Sequence, residues 1–490
     1  MTRRLFLLFL AAALSAFGAA QAQSSYVAAV VEFYALGGTF QQNIQKYEEL
    51  IAEASSQSAE IIVFPEYGLT TTAVAVSRPL SIAVGQEAPD LNSNPCLELP
   101  PSRANTEALR RLSCAARNSS IYVVANLIER QFCGGQQTCA ADDYLIYNTN
   151  VAFDTNGTLV ARYRKFNLYG EPALNTTDEV DIAVFNTTFG ATFGTFTCMD
   201  LLFFNPGMRL VREFGVTDIA FPTAWFSELP FLTAVQAQSA WAIGLGVNFL
   251  GSGYNLPSVG NSGSGVYSAE QGVLASVMAQ ENGTRLLVAR VPISPARKYS
   301  ANRESGQIRR GSPATFDLLL KNDNLRNYTS APLTPEIGSN LTLTHCQADL
   351  CCTVDYQLEL VDASGAFNYR LVVIDGIVTH DGGKYVNREQ VCSVIACSGA
   401  ETTSCSDDLS LSTYSANTLF KSLVVSGNFS TDLLQPNTLV VPSLDVLRPS
   451  DDFLYVPSFP TSASRLRLTR SVSNLHAFGI FSHDFEPADA

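Results

Sequence analysis

Histidine is scarce in this chain: four in 490 residues, the first at position 345. A serine or cysteine nucleophile that works with an imidazole base would have to borrow it from the last third of the sequence. Ser-His-Asp and Cys-His hydrolases are therefore disfavoured, and zinc catalysis loses its usual ligands. Acid–base chemistry earlier in the chain has to come from carboxylates or lysine. Positive charge is also short, with 31 Lys and Arg against 45 Asp and Glu and a net charge of −14. Nucleic acid is an unsuitable partner, since binding phosphate needs a basic face. Charged residues make up only 16% and apolar ones 46%, which fits a globular protein with a large core. A long apolar tail is missing too. Ala477 to Phe481 is a short patch followed by Asp484, Glu486 and Asp489, so no lipid-anchor signal and no membrane attachment are expected.

Several features point outside the cell. Arg3 and Arg4 precede an apolar run from Leu5 to Phe17, and Ala20-Gln21-Ala22 has the small residues a signal peptidase accepts. Residues 1–22 read as a secretory signal, leaving a mature chain from Gln23. Asn118, Asn156, Asn175, Asn186, Asn282, Asn327, Asn340 and Asn428 each begin an N-x-Ser/Thr glycosylation sequon. Eleven cysteines in an oxidising compartment leave at least one thiol unpaired. Cys133 and Cys139 flank a short Gly-Gly-Gln-Gln loop and are expected to pair, six more crowd between Cys346 and Cys405, and Cys198 is the best candidate for the odd thiol. The expectation is a secreted, extracellular monomer.

The length suggests two or three domains. Tyr26 to Phe33 reads as a strand, Asn43 to Ala54 as a helix with apolar residues at helical spacing, and Glu60 to Phe64 as a second strand, which together make a parallel βαβ unit. Strands at 121–128, 148–154 and 158–164 follow, the last two joined by the hairpin signal Asn156-Gly157. Past Cys198 come a helix from Pro206, a strand over 217–222, a helix over 233–245, a strand over 247–251, a Gly/Ser-rich turn to Gly265, and a last strand near 286–291. The pattern predicts an α/β domain over 23–300. A charged arm at 298–310 leads into a second region, 301–490, read as a smaller, β-rich, disulfide-held accessory domain.

The chemistry centres on Cys198. Thr192 to Thr197 is β-branched and aromatic, so the cysteine sits where a buried strand gives way to a turn, a common place to present a nucleophile. A cysteine among phenylalanines is also what a plain core position looks like. Glu66 follows a strand that ends in Phe64-Pro65, and Lys165 and Glu171 flank a turn after the hairpin. Glutamate, lysine and cysteine suffice for amide hydrolysis. A buried glutamate takes the thiol proton, an ammonium favours the thiolate and holds the oxyanion with a backbone N–H, and the glutamate later activates water.

Three blocks, Phe64-Pro65-Glu66, Tyr163 to Glu171 and Gly194 to Asp200, resemble the catalytic blocks of the nitrilase superfamily, in its order. Phe221 to Trp225, Gln238 to Ala242, Val247 to Leu250 and Gly263 to Tyr267 resemble its vanin and biotinidase branch. The resemblance implies a nitrilase-like αββα sandwich with a C-terminal accessory domain and no metal or organic cofactor. It makes Glu66 the general base, Lys165 the oxyanion lysine, Cys198 the nucleophile and Glu171 a second glutamate that orients lysine or substrate. The Met199 N–H would complete the oxyanion hole, and Trp225 would wall the substrate pocket or simply pack in the core. The implied substrate is a small linear amide: pantetheine, giving pantothenate and cysteamine, or alternatively biocytin, giving biotin. A non-catalytic extracellular glycoprotein on the same scaffold is the reading from another class.

Overall fold

A computed structural model describes residues 23–293 and 318–484, apart from 36–37, 104, 135–138, 363–366, 381–382, 408–416, 432 and 458–462. The expected signal segment, residues 1–22, and the charged arm at 298–310 lie outside the described residues.

The first half is a two-sheet sandwich. Its strands are β1 (Ser25–Glu32), β2 (Ile61–Val63), β3 (Tyr122–Phe132), β4 (Tyr144–Phe153), β5 (Leu159–Arg164), β6 (Val184–Asn186), β7 (Thr192–Thr195), β8 (Asp218–Thr223), β9 (Glu228–Leu229), β10 (Asn248–Gly253), β11 (Ser264–Ser268), β12 (Gly272–Val277) and β13 (Arg285–Pro292). One six-stranded sheet runs β13-β1-β2-β3-β4-β5 and the other β12-β11-β10-β8-β7-β6, while β9 lies in neither and pairs with Lys321–Asn322. The centres are parallel, β1 with β2 and β3 in one sheet and β7 with β8 and β10 in the other, and antiparallel strands add on at the flanks. Parallel strands covered on both faces are buried along their whole length, as β2 and β8 are. The inner faces meet in a core that includes Val30, Val63, Phe193, Phe221 and Phe249.

Helices cover the outside. In α1 (Phe40–Ser56), Thr39 caps the first turn together with Gln42, and Ile44, Tyr47, Leu50, Ile51 and Ala54 form the buried stripe. With α2 (Glu107–Ser119) it covers the outer face of the first sheet. On the other side, α3 (Ala234–Leu245) has no polar face, and every residue from Ala234 to Ala242 is buried. The second domain covers its far side, with Gly244 against the Leu434 carbonyl and Gln236 hydrogen-bonded to Asn437.

That second domain consists of a five-stranded and a six-stranded sheet, packed on Cys352, Leu371, Val394, Phe420 and Phe478. Three disulfides lie in it, Cys346–Cys351, Cys352–Cys392 and Cys397–Cys405; Cys96–Cys114 and Cys133–Cys139 lie in the first. Cys198 is the free thiol left over.

Three sequence expectations need correction. The strand before Cys198 ends at Thr195. The helix expected from Pro206 to Phe214 runs on to Arg212, as a π turn to Met208 and an α turn over Arg209–Arg212, and Asn205, just before Pro206, has extended backbone angles. The Gly/Ser-rich stretch gives way at Ser264 to β11, which with β12 extends the second sheet. Small residues weaken the strand pattern there, and pairing with β10 overrides it.

Candidate active site

The four candidate side chains arrive at one place from three connections, Lys165 and Glu171 sharing the one after β5. Glu66 lies three residues past β2, Lys165 directly follows β5, and Cys198 lies three residues past β7. The parallel centres of the two sheets thus deliver Glu66 and Cys198 from their C-terminal ends, the usual position of active sites in α/β proteins. Cys198 adopts φ +49°, the left-handed region that costs a non-glycine residue energy. Asp200 holds this turn as acceptor from the Thr197 N–H at 3.2 Å, the Tyr163 hydroxyl at 2.7 Å, and the Asn167 N–H and amide, both at 2.9 Å. Burial raises the Asp200 carboxyl to about 6 against these donors.

Lys165 is the hub. Its Nζ, 2% exposed, donates to Glu66 Oε1 at 2.8 Å and to Glu171 Oε2 at 2.7 Å. The Asn148 amide bridges the same carboxylates, 2.7 Å from Glu66 Oε1 and 2.8 Å from Glu171 Oε1. The Tyr67 hydroxyl also donates to Glu171 Oε1, and the Tyr169 N–H to Glu171 Oε2 at 2.9 Å. The far oxygen of Glu66, Oε2, accepts from the Ala224 N–H at 2.8 Å. Burial opposes the Lys165 charge, but Glu171 and Glu66 outweigh it and hold its pKa well above the ordinary lysine value. Burial raises the Glu66 carboxyl; Lys165 pulls it down and Glu171 pushes it up.

Burial, then the Glu66 charge, push the Cys198 thiol up to about 12, with Lys165 pulling the other way. The sequence reading expected the ammonium to favour a thiolate. In the folded protein Lys165 is shared between two glutamates, so burial and Glu66 prevail and the resting sulfur is protonated. The site therefore holds a thiol that keeps its proton at rest, a carboxylate able to take that proton, and a cation able to receive oxyanion charge.

Cys198 opens on a cavity of about 180 Å3. Its lining combines apolar Tyr169, Met199, Leu202, Trp225, Phe226 and Leu232 with polar Glu228, Asn322, Asp323, Asn324 and Thr379. Trp225 thus both walls the cavity and packs in the core, its indole N–H donating to the Leu232 carbonyl at 2.8 Å. Residues 322–324 and 379 belong to the second domain, which also grips the loops that follow Lys165 and Cys198. Lys384 Nζ and the Tyr385 hydroxyl donate to the Leu168 carbonyl at 3.1 and 2.6 Å, and the Asn387 amide to the Leu202 carbonyl at 3.0 Å. Among the described residues no cluster of three or more His, Cys, Asp or Glu is placed to hold a metal ion. Of the sequon asparagines seven are exposed; Asn175 is half-buried, its side-chain oxygen accepting from Arg78 and the Ile146 N–H, both at 2.9 Å.

Asn148, Asn126, Asn150, Tyr67 and Asp200 were not found from the sequence. A usable signal existed for three of them. Asparagine is depleted in strands, yet β4 carries Asn148 and Asn150 on one face, with Asn126 opposite Asn150 on β3. Asn126 donates to both, at 2.6 and 3.0 Å, and accepts from the Tyr67 N–H at 3.0 Å. Nothing in the sequence pointed to the second domain's part in the cavity.

Comparison with known proteins agrees with this architecture. Residues 19–219 match the carbon-nitrogen hydrolase family model, and residues 318–488 the vanin C-terminal domain. The chain is 36% identical to vanin-like protein 1 of Drosophila melanogaster, over 96% of this chain and 87% of that one. It is 35% identical to the biotinidase of Rattus norvegicus (80% and 78%) and 34% identical to the pantetheinase of Bos taurus (81% and 76%). A carbon-nitrogen hydrolase domain joined to a vanin C-terminal domain, with relatives of this identity along most of its length, places the chain in the vanin and biotinidase family of carbon–nitrogen amide hydrolases.

Proposed function

We propose that this hydrolase cleaves a linear, non-peptide amide through a thioester on Cys198, with pantetheine as substrate and pantothenate and cysteamine as products. The observation that carries the mechanism is the buried Lys165 bonded to both Glu66 and Glu171 beside the only free cysteine among the described residues. Glu66 takes the thiol proton as sulfur bonds to the amide carbon. The oxyanion is stabilised by Lys165 and the Met199 N–H. Collapse breaks the C–N bond, and Glu66 returns the proton to the departing amine. Water then attacks the thioester, giving its proton to Glu66, and the C–S bond breaks to restore the thiol. Glu171 keeps Lys165 charged and in place. The cycle moves one proton within a fixed set of charges, which suits a dry site.

The choice of substrate is supported by a cavity whose lining mixes apolar side chains with amide, hydroxyl and carboxylate groups, chemistry that fits the hydroxyl-bearing acyl chain of pantetheine. Biocytin is the alternative, because a biotinidase and a pantetheinase are almost equally similar to this chain. Five disulfides and seven exposed sequons support a secreted protein. Initial rates on the two amides, with Cys198→Ala alongside, test the reading. Faster turnover of pantetheine and none by Cys198→Ala are expected. Faster turnover of biocytin moves the substrate, and an active Cys198→Ala enzyme removes the mechanism.

A further inference from the structure

The peptide at Ala224 lies between the two reacting side chains. Its N–H donates to Glu66 Oε2 at 2.8 Å and is close enough to the Cys198 sulfur to favour its ionised form. A residue at the end of a strand can turn, and hydrogen bonds weaken steeply as they bend, so Ala224 has to be held on both sides. The plane that carries its N–H is held at the Thr223 carbonyl by the Tyr254 N–H at 2.9 Å. Asn261 holds the planes that follow: its Nδ2 donates to the Ala224 carbonyl at 2.8 Å and to the Trp225 carbonyl at 3.1 Å. Asn261 is 1% exposed and sits in the connection between β10 and β11, paired with Leu256 through both backbone groups.

That connection is itself anchored on an unusual group. Glu32, at the end of β1, is fully buried, and among the described residues no cation pairs with it. Its donors all come from this connection and the first residue of β11. The Ser262 hydroxyl lies at 2.8 Å, the Asn255 amide and Gly263 N–H both at 3.2 Å, and the Ser264 hydroxyl completes the set. Gly263 has φ +116°, and a Cβ there would lie 2.3 Å from that of Ala234, so only glycine lets its N–H reach the carboxylate. Burying a carboxylate without a cation is costly, and the donors converging on Glu32 are what make it tolerable.

We infer that Asn261 is a positioning residue for the general base, and that Glu32 is the anchor that holds Asn261 in place. The chain of contact runs from Glu32 through Ser262 and Gly263 to Asn261, through the Ala224 and Trp225 carbonyls, and through the Ala224 N–H to Glu66. This rests on the reading of Glu66 as base and Cys198 as nucleophile. When the Asn261 amide is lost, the peptide after Ala224 is free to turn, Ala224 moves with it, and its N–H bonds Glu66 less well. A donor to the charged form is weakened, and the Glu66 pKa rises further.

The test is the pH profile of kcat/KM for the full chain, measured with the faster of pantetheine and biocytin. In Asn261→Ala the acid limb should move up by about one pH unit, so that the rate at low pH falls roughly tenfold while the plateau falls less. Glu32→Gln should move the limb in the same direction. Val259→Ala, an exposed residue of the same connection, should keep the wild-type profile. A general loss of packing would lower the plateau without moving the limb. If Asn261→Ala is not recovered folded, Asn261→Ser, which keeps one hydroxyl donor, should give a smaller shift of the same sign. An unmoved acid limb in the recovered Asn261 variant overturns the inference. With Cys198→Ala inactive, that result removes only the positioning role; an active Cys198→Ala enzyme would remove the underlying reading instead.

Discussion

Replacing Lys165 with methionine keeps the length of the side chain and removes its charge. The ammonium lies 2.8 and 2.7 Å from two carboxylates that are almost wholly buried. Without it, Glu66 and Glu171 share only the Asn148 amide between them. Removing one partner of a buried ion pair costs about 3–5 kcal/mol, because a charge is left uncompensated. The folded protein can reduce that cost by taking up a proton. Burial already raises the Glu66 carboxyl, and the variant loses the strongest influence that lowers it, so its pKa climbs further. A carboxyl whose pKa is raised on folding contributes its stability below the unfolded value, and that contribution disappears as pH rises through the folded value. The gap in Tm between wild type and Lys165→Met should therefore be small near pH 4.5 and widen toward pH 8, by roughly 6–15 °C for a domain of this size. Thermal unfolding followed across that range is the assay, with initial rates recorded in parallel and expected to vanish. A gap that stays the same at every pH, or no gap at all, would show that the carboxylates do not depend on Lys165, and the charge argument for the site would fail.

Three more outcomes follow from the geometry. A thiol pushed up to about 12 is almost wholly protonated at rest, so a small alkylating reagent should modify Cys198 on the order of a hundredfold more slowly than a free cysteine near pH 8, even after the greater nucleophilicity of a high-pKa thiolate is allowed for. Mass spectrometry of the labelled protein reads this, and fast labelling would contradict the protonated resting state. Asp200→Asn faces an amide N–H2 toward donors now held by a carboxylate and should cost about 1–3 kcal/mol for each donor left unpaired, with kcat reduced as the Cys198 turn loosens. It should also abolish the stability that the wild type loses as pH rises through about 6, seen by urea unfolding on either side of that value. Lys384→Ala combined with Tyr385→Phe frees the Leu168 carbonyl and should raise KM more than it lowers kcat, because the Tyr169 wall shifts while Lys165 keeps its glutamates; steady-state kinetics would separate the two.

Much of the site was legible because its chemistry limits the choice. With no histidine before position 345, a nucleophilic cysteine had to work with carboxylate and lysine, and three spaced blocks supplied them. The odd cysteine was legible from arithmetic, since ten of eleven pair and Cys198 remains. The state of that thiol was not legible. Proximity to an ammonium suggested a thiolate, but how Lys165 divides between two glutamates is a matter of distances that no spacing encodes. The asparagine ladder of Asn126, Asn148 and Asn150 was half visible, as polar residues where strands seldom carry them.

From the sequence alone came the strand and helix periodicity of the first half, the cysteine count and the reacting residue types. These are local properties, fixed by neighbours along the chain. Tertiary structure alone decided that β13 pairs with β1 to complete the first sheet, that the second domain walls the cavity through Asn322 to Asn324 and Thr379, and that buried Glu32 gathers donors from the loop whose Asn261 reaches the Ala224 carbonyl. Each depends on groups far apart in sequence meeting where water is excluded. Burial sets which charges are tolerated and which protons are held, and burial is a property of the packed chain.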